Sequence, residues 1–397
     1  MQPTKLKRFY GGPVSGESFW PRPDLTEPMV GTLLAEESIG LFGLRRTGKS
    51  SALLEVQRAL KAAGRTPIYV DVQGSDRIEP ILTALLGAIP QDHIGHKLTT
   101  ALSGPKVNRV IDFLNRIRGK DRPAPLSPLE VLHHVELMKG DLVQVLVAQR
   151  GALVLMIDEL PYLIIHMLDG GMKVPEVNSF LATLRSWRQD GHLPMLLSGS
   201  MGLQHLVRER GIARENFNDL VFPPTPPPLT SVEAKLMLRA LAVGADCDWI
   251  DDPVIDAILT ETAANYPSFL QFAFGRIKDH NARTPSEVSR IFELHVRPGL
   301  DKDFYNQFDT RMARYDAAMV SAARAIFRGL DNSDAGTIGA SELDNVFANL
   351  EPSARDNLLI SLVEDGFIFV DTKTGAVTFS SPLVHAWWQA KPYRRKS

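Results

Sequence analysis

The residues best suited to chemistry stand in one short loop. Gly43 and Gly48 lead into Lys49 and Ser50 with the spacing G-x-x-x-x-G-K-S, between an apolar run that predicts a strand and an amphipathic run that predicts a helix. Glycines let such a loop curl so that its backbone N–H groups point at phosphate oxygens, close to the positive end of the following helix. We predict that Lys49 reaches the β- and γ-phosphates of a nucleotide and that the Ser50 hydroxyl ligates Mg²⁺.

The predicted phosphate contacts cover the whole loop and the start of the helix: Gly43, Leu44, Arg45, Arg46, Thr47, Gly48, Lys49, Ser50 and Ser51. The alternative interpretation is a tight glycine turn with an incidental lysine. The flanking strand and helix favour the phosphate site.

A second feature is the pair Asp158 and Glu159, which ends the apolar run "LVLMI". Any strand can end in acids at a solvated edge, so this pattern alone is a weak signal. It becomes a strong one about a hundred residues after a phosphate loop in an alternating α/β pattern. Asp158 is then predicted to hold Mg²⁺ through water, and Glu159 to orient and deprotonate an attacking water.

Two further groups could act on the terminal phosphate. Ser198 and Ser200 follow the apolar run "LPMLL" and could contact the γ-phosphate, or equally could cap the next helix. Among the arginines that follow, Arg214 is the preferred candidate for neutralising transition-state charge.

Composition narrows the class of protein. The chain has 397 residues, 44% of them hydrophobic, and a formal net charge of −2, so it carries no strong overall basic field for nucleic acid. It has one cysteine, Cys247, which cannot form an intrachain disulfide. The sequence lacks a secretory signal and an apolar span of membrane length. We therefore expect a cytoplasmic protein that does not enter the membrane.

Short apolar strands alternate with helices from Ser38 to Ser200, and this order predicts a parallel sheet covered by helices on both faces. The polar, proline-bearing stretch Gly104–Leu129 is expected to be an insertion or a mobile connection. The proline cluster "FPPTPPPLT" is expected to end the sheet domain. Near the C-terminus, three helices and two alternating runs joined by a polar turn predict a winged helix-turn-helix.

The sequence resembles the STAND class of AAA-related P-loop ATPases, in particular the archaeal-type ATPases. The matching segments are "SFWPRPDL", "GLRRTGKSS", "VLMIDEL", "LLSGS", "PPPLTSVEA", "NYPSFLQF" and "FSSPLVHAWW", spread from Ser18 to Trp388. The resemblance implies an N-terminal segment (residues 1–30), a P-loop ATPase domain (31–222), a helical lid (223–305) and a winged helix (306–397). It also implies that Arg22 and, in the lid, Tyr266 or Pro267 contact the adenine side of ATP or ADP.

The leading functional hypothesis is a slow ATPase that acts as a nucleotide-dependent switch, working on a protein partner or on its own assembly into homo-oligomers. One alternative is an ATP-controlled DNA-binding regulator that uses the winged helix. Acidic residues in the predicted helices of that module argue against DNA. Another alternative is an ATPase subunit of a defence or loading complex.

Overall fold

A computed structural model describes residues 4–391, apart from residues 89–127, 138, 201–202, 263, 301–303, 314, 348–350 and 372. The chain forms two compact bodies. The sheet body comprises Arg22–Phe42 and Lys49–Thr225, and the C-terminal body comprises Met1–Pro21, Gly43–Gly48 and Pro226–Ser397. The six loop residues thus group with the C-terminal body, although their neighbours in the chain belong to the sheet body.

The sheet body alternates strands and helices. Its elements are α1 (Pro23–Leu34), β1 (Ser38–Phe42), α2 (Lys49–Ala62), β2 (Thr66–Asp71), α3 (Glu79–Ala88), α4 (Pro128–Leu137), α5 (Lys139–Ala148), β3 (Leu153–Asp158), α6 (Leu160–Asp169), α7 (Val174–Gln189), β4 (Met195–Gly199), α8 (Leu203–Arg210), a 3₁₀ turn (Arg214–Phe217) and β5 (Leu220–Val221). Most of the predicted insertion, residues 104–127, lies outside the described residues.

The five strands form one sheet in the order β2-β3-β4-β1-β5, and every pairing is parallel. Residues of β3 alternate between its two faces. Leu155 and Ile157 pack with α3 to α8 on one face, whereas Val154 and Met156 pack with α1 and α2 on the other. Because both faces are buried, the strand reads as a continuous apolar run. The predicted parallel sheet covered on both faces is confirmed.

Beyond Pro226, the first part of the C-terminal body is helical. Its elements are α9 (Ser231–Gly244), α10 (Asp252–Glu261), α11 (Pro267–Asp279), α12 (Pro285–Ile291), a π-helical turn (Phe292–Val296), α13 (Arg297–Leu300) and α14 (Asn306–Met312). Several begin at a side-chain cap: Thr230 and Glu233 form a capping box on α9, and Thr284 and Glu287 form one on α12.

The last part of the C-terminal body combines helices with a small sheet. It comprises α15 (Ala317–Asn332), β6 (Thr337–Ile338), α16 (Ala340–Val346), α17 (Pro352–Glu364), β7 (Ile368–Val370), β8 (Val377–Phe379) and α18 (Pro382–Gln389). The two predicted strands are present as the antiparallel pair β7 and β8, and β6, which was not predicted, adds a third in the order β6-β8-β7. A strand of two residues is too short to show an alternating pattern.

Within the described part of the chain, no helix combines the length and apolar character needed to cross a membrane.

Candidate functional site: a phosphate loop and an acidic strand end

The loop that follows β1 makes a tight turn. Arg46 and Gly48 lie in the left-handed region, with φ of +67° and +101°. Glycine adopts this conformation without strain, whereas an arginine there costs about 1 kcal/mol or more. The Thr47 hydroxyl donates to the Leu44 carbonyl at 3.0 Å, which closes the turn from inside. Successive N–H groups in such turns form concave sites for anions.

The first turn of α2 carries the remaining residues of the motif. Lys49, Ser50 and Ser51 are the first three residues of the helix. Lys49 is only 5% exposed. Burying an ammonium group is costly unless anionic or polar groups surround it, and the helix N-terminus at the same place favours an anion. The combination is suited to a phosphate group.

Asp158 lies at the carboxyl end of β3 and is 2% exposed. Both of its carboxylate oxygens accept hydrogen bonds: Oδ1 from the Ser198 hydroxyl and Oδ2 from the Tyr69 hydroxyl, the latter at 3.0 Å. Ser198 lies on β4 and Tyr69 on β2, so the two strands that flank β3 fix the orientation of the acid. Hydrogen bonds of this kind offset the cost of burying a carboxyl group.

The pKa of the Tyr69 hydroxyl is shifted as well. Burial, together with the charge and hydrogen bond of Asp158, raises the pKa of Tyr69 far above its ordinary value. The phenol therefore keeps its proton and acts as a permanent donor to Asp158.

Glu159 follows directly and has φ of +62°, the left-handed conformation. Such a conformation in a non-glycine residue is uncommon outside tight functional turns. Ser200 donates its backbone N–H to Glu159 Oε2 at 2.8 Å and its hydroxyl to the same oxygen at 3.0 Å. Glu159 is thereby held over the end of β4.

The Ser198 hydroxyl donates to Asp158, and the Ser200 hydroxyl donates to Glu159. The structure thus brings together Asp158, Glu159 and Ser198 from the predicted set. Tyr69 was not predicted, because nothing in a strand sequence shows which neighbouring strand a tyrosine hydroxyl will reach.

The other predicted residues lie on separate elements. Arg214 is an exposed residue at the start of the 3₁₀ turn. Arg22 precedes α1 in the sheet body, and Pro267 is the first residue of α11 in the C-terminal body. Their predicted adenine contacts remain predictions.

A buried ion pair supports the turn that carries Arg214. Arg188 on α7 donates to both carboxylate oxygens of Asp219, at 2.7 and 2.8 Å, and to the Asn216 carbonyl at 2.6 Å. The Arg188 side chain is 2% exposed. This bidentate pair was not predicted, since the two residues stand 31 positions apart in the sequence.

A scan against protein-family models found no match, and a search of curated proteins found no relative. Solved structures do resemble the chain. The Walker-type ATPase PABY2304 of Pyrococcus abyssi matches with a TM-score of 0.59 at 18% identity, covering 95% of this chain and 98% of that one. The ORC2 protein of Aeropyrum pernix, in ADPNP and ADP complexes, matches with a TM-score of 0.47 at 13% identity, covering 92% of each chain. The ORC1 protein of the same organism, in complex with DNA, matches at 0.41 and 14% identity, covering 94% of this chain and 93% of that one. The first likeness shows that this chain has the fold of a Walker-type P-loop ATPase.

Proposed function

We propose that this protein binds Mg·ATP through residues 43–51 and hydrolyses it slowly, and that the nucleotide state acts as a conformational switch. One observation carries the proposal. At the end of β3, Asp158 and Glu159 each accept hydrogen bonds from a serine of the neighbouring strand end, Ser198 and Ser200 respectively. Strand β1, which pairs with β4, continues directly into the G-x-x-x-x-G-K-S sequence. A phosphate loop that follows one strand of a parallel sheet, with two oriented acids at the end of another, suits ATP hydrolysis.

The oxygen donors fit magnesium. Among the described residues there is no cluster of three acidic, histidine or cysteine side chains that would form a protein cage for a metal. Magnesium in nucleotide sites is held by one or two protein oxygens, phosphate oxygens and water. The Ser50 hydroxyl and, through water, the Asp158 carboxylate would hold it, and the ion would neutralise phosphate charge.

The protein groups divide the chemistry between them. Lys49 would bind the β- and γ-phosphates, and Ser198 would contact the γ-phosphate. Glu159 would accept the proton of the attacking water. Arg214 is exposed, which would suit an arginine that stabilises transition-state charge in a neighbouring molecule, so we include homo-oligomer formation in the proposal. Arg22 and Pro267 would contact the adenine.

The C-terminal helices and small sheet would form a winged helix with a protein-contact role. Ile360 and Val363 on α17 and Phe369 on β7 are 46%, 42% and 59% exposed, and Asp356 on α17 is exposed as well. Apolar and acidic side chains on such a helix suit a protein partner, whereas duplex DNA requires basic groups facing its phosphates.

The direct test is nucleotide binding and turnover by the full chain. Lys49→Ala should abolish binding of a fluorescent ATP analogue, whereas Glu159→Gln should keep binding and release phosphate about 100-fold more slowly. Lys61→Ala, on the exposed side of the same helix, is the matched control and should behave as wild type. Unchanged turnover in Glu159→Gln would remove that residue from its role, and no nucleotide binding by the wild type would end the proposal.

A further inference from the structure

Three consecutive residues of the phosphate loop are held by three different parts of the C-terminal body. Leu44, Arg45 and Arg46 contact residues that lie more than 200 positions further along the chain. All of these residues belong to the same compact body. The shape of the loop therefore depends on groups far outside the motif.

Arg45 is held through its backbone by Gln307 on α14. Its N–H donates to Gln307 Oε1 at 2.8 Å, and the Gln307 amide Nε2 lies 3.4 Å from the Arg45 carbonyl oxygen. The same Nε2 donates to the Phe304 carbonyl at 3.0 Å, which fixes the amide in its orientation. Held in this way, the Gln307 amide contacts both the backbone N–H and the carbonyl oxygen of Arg45.

Arg46 is held at its backbone and at its side chain. The Ser268 hydroxyl, in the first turn of α11, donates to the Arg46 carbonyl at 2.5 Å. The Arg46 guanidinium lies 5.5 Å from the ring centre of Tyr10 and 6.0 Å from that of Phe304. These distances are within the range of cation–π attraction. The contacts hold the one loop residue other than glycine that adopts a left-handed conformation.

Leu44 is the apolar anchor of the loop. It is 7% exposed and belongs to the core of the C-terminal body. Gly366, which follows α17, approaches so closely that an added Cβ would lie 3.1 Å from Leu44 Cδ2. Gly366 also has φ of +71°, a conformation that favours glycine.

We propose that Gln307 and Ser268 are positioning residues that hold the phosphate loop in its anion-binding form and so couple nucleotide affinity to the packing of the C-terminal helices. The inference rests on the proposed function and adds a mechanism for the switch. An anion site binds tightly when its amides are already oriented, because binding then does not have to order the loop. Loss of either contact should weaken phosphate binding although neither residue belongs to the motif.

Coupling of this kind is reciprocal. If the contacts of Gln307 and Ser268 strengthen nucleotide binding, then bound nucleotide must strengthen those contacts by the same factor. Nucleotide should therefore slow hydrogen exchange in the first turns of α11 and α14, where the two residues lie. Hydrogen exchange in these turns reports on the contacts of Gln307 and Ser268 with the loop, and it can be measured without ATP turnover.

The experiment compares dissociation constants of fluorescent ATP and ADP analogues for the full chain. Gln307→Met keeps the side-chain length without the amide, and Ser268→Ala removes the hydroxyl. Each should weaken binding of both nucleotides about fivefold, the effect of one net hydrogen bond. Ser268→Thr restores a hydroxyl and should return to within about twofold of wild type. Thr310→Ala is the control on α14, because that exposed hydroxyl bonds only within its own helix.

The outcomes separate this inference from the proposed function. The inference is supported if Gln307→Met and Ser268→Ala both weaken nucleotide binding and Ser268→Thr restores it. The two weakened variants should also lose the effect of nucleotide on hydrogen exchange in α11 and α14. Wild-type affinity in both variants, or tighter binding, overturns it while leaving the ATPase proposal intact. A wild-type chain that binds no nucleotide overturns the ATPase proposal instead.

Discussion

Ser200 donates both its backbone N–H and its hydroxyl to one carboxylate oxygen of Glu159, at 2.8 and 3.0 Å. The serine lies just beyond the end of β4 and the glutamate just beyond the end of β3. The acid is therefore oriented by the adjoining strand and by its own left-handed backbone. Hydrogen bonds to a charged group are the stronger kind, so this pair constrains where Glu159 can act.

Ser200→Ala removes the hydroxyl and keeps the backbone donor. We expect turnover of ATP to fall about tenfold, because Glu159 loses one of two bonds that orient it, while nucleotide affinity changes less than about twofold. Phosphate release and analogue binding measure the two quantities. Ser186→Ala is a matched control, since Ser186 also donates to a carboxylate, that of Asp190, but at the end of α7. Equal turnover in the Ser200 variant and wild type would contradict the assignment.

Tyr69→Phe removes the donor to Asp158 Oδ2 and should change the dependence of stability on pH. The pKa of Tyr69 is raised in the folded protein. The unfolded chain therefore loses this proton at a lower pH, near 10, and the stabilisation is present below that pH and declines as the pH rises above it. Urea unfolding at pH 8 and pH 10.5 should show that the free energy of unfolding falls by about 0.5 kcal/mol more in the wild type than in the variant. The expected difference is small because the phenol is partly exposed. Equal losses would show that the phenol is not protected from ionisation.

Gly199→Ala should disturb the end of β4. An added Cβ would lie 2.6 Å from Pro161 Cγ, closer than real contacts allow, so β4 and the start of α6 must move apart. We expect a loss of about 2 kcal/mol in the free energy of unfolding and lower turnover, because Ser198 and Ser200 flank this position. Gly31→Ala is the control: it lies in α1 with nothing within 4 Å of its added Cβ. That change should stabilise the protein by about 0.5–1 kcal/mol in urea unfolding.

Arg188→Met should destabilise the sheet body by about 3 kcal/mol, because it leaves the Asp219 carboxylate and the Asn216 carbonyl without their shared donor. The measurement is the free energy of unfolding in urea. Arg58→Met is the comparison, since Arg58 pairs with Glu55 on an exposed helix surface and its side chain is 69% exposed. That exposed pair should contribute less than about 0.5 kcal/mol. Similar losses in the two variants would show that burial of Arg188 does not determine its contribution.

The parts of the site that the sequence predicts are local in the chain. The spacing of Gly43, Gly48 and Lys49 and the position of Asp158 after a buried run depend only on adjacent residues, so periodicity and motif spacing are sufficient. Four of the five strands of the sheet follow for the same reason, since β1 to β4 are apolar runs bounded by polar turns.

The parts that escape prediction depend on distant partners or on very short elements. Gln307 and Ser268 stand 262 and 222 residues from the loop residues that they contact, and neither belongs to a motif. Strands β5 and β6 have two residues each and show no period. Helix α1 was missed because Pro28 lies within it, and an internal proline argues against a helix.

The burial of Leu44 has a consequence for synthesis on the ribosome. Leu44 belongs to a core of which most residues lie beyond residue 226, and its neighbour Gly366 is among the later residues to be translated. A nascent chain of 225 residues already contains every described strand of the parallel sheet, and about 140 further residues must be translated before Gly366 can pack on Leu44. We therefore expect residues 43–48 to reach their final packing late in the synthesis of the chain.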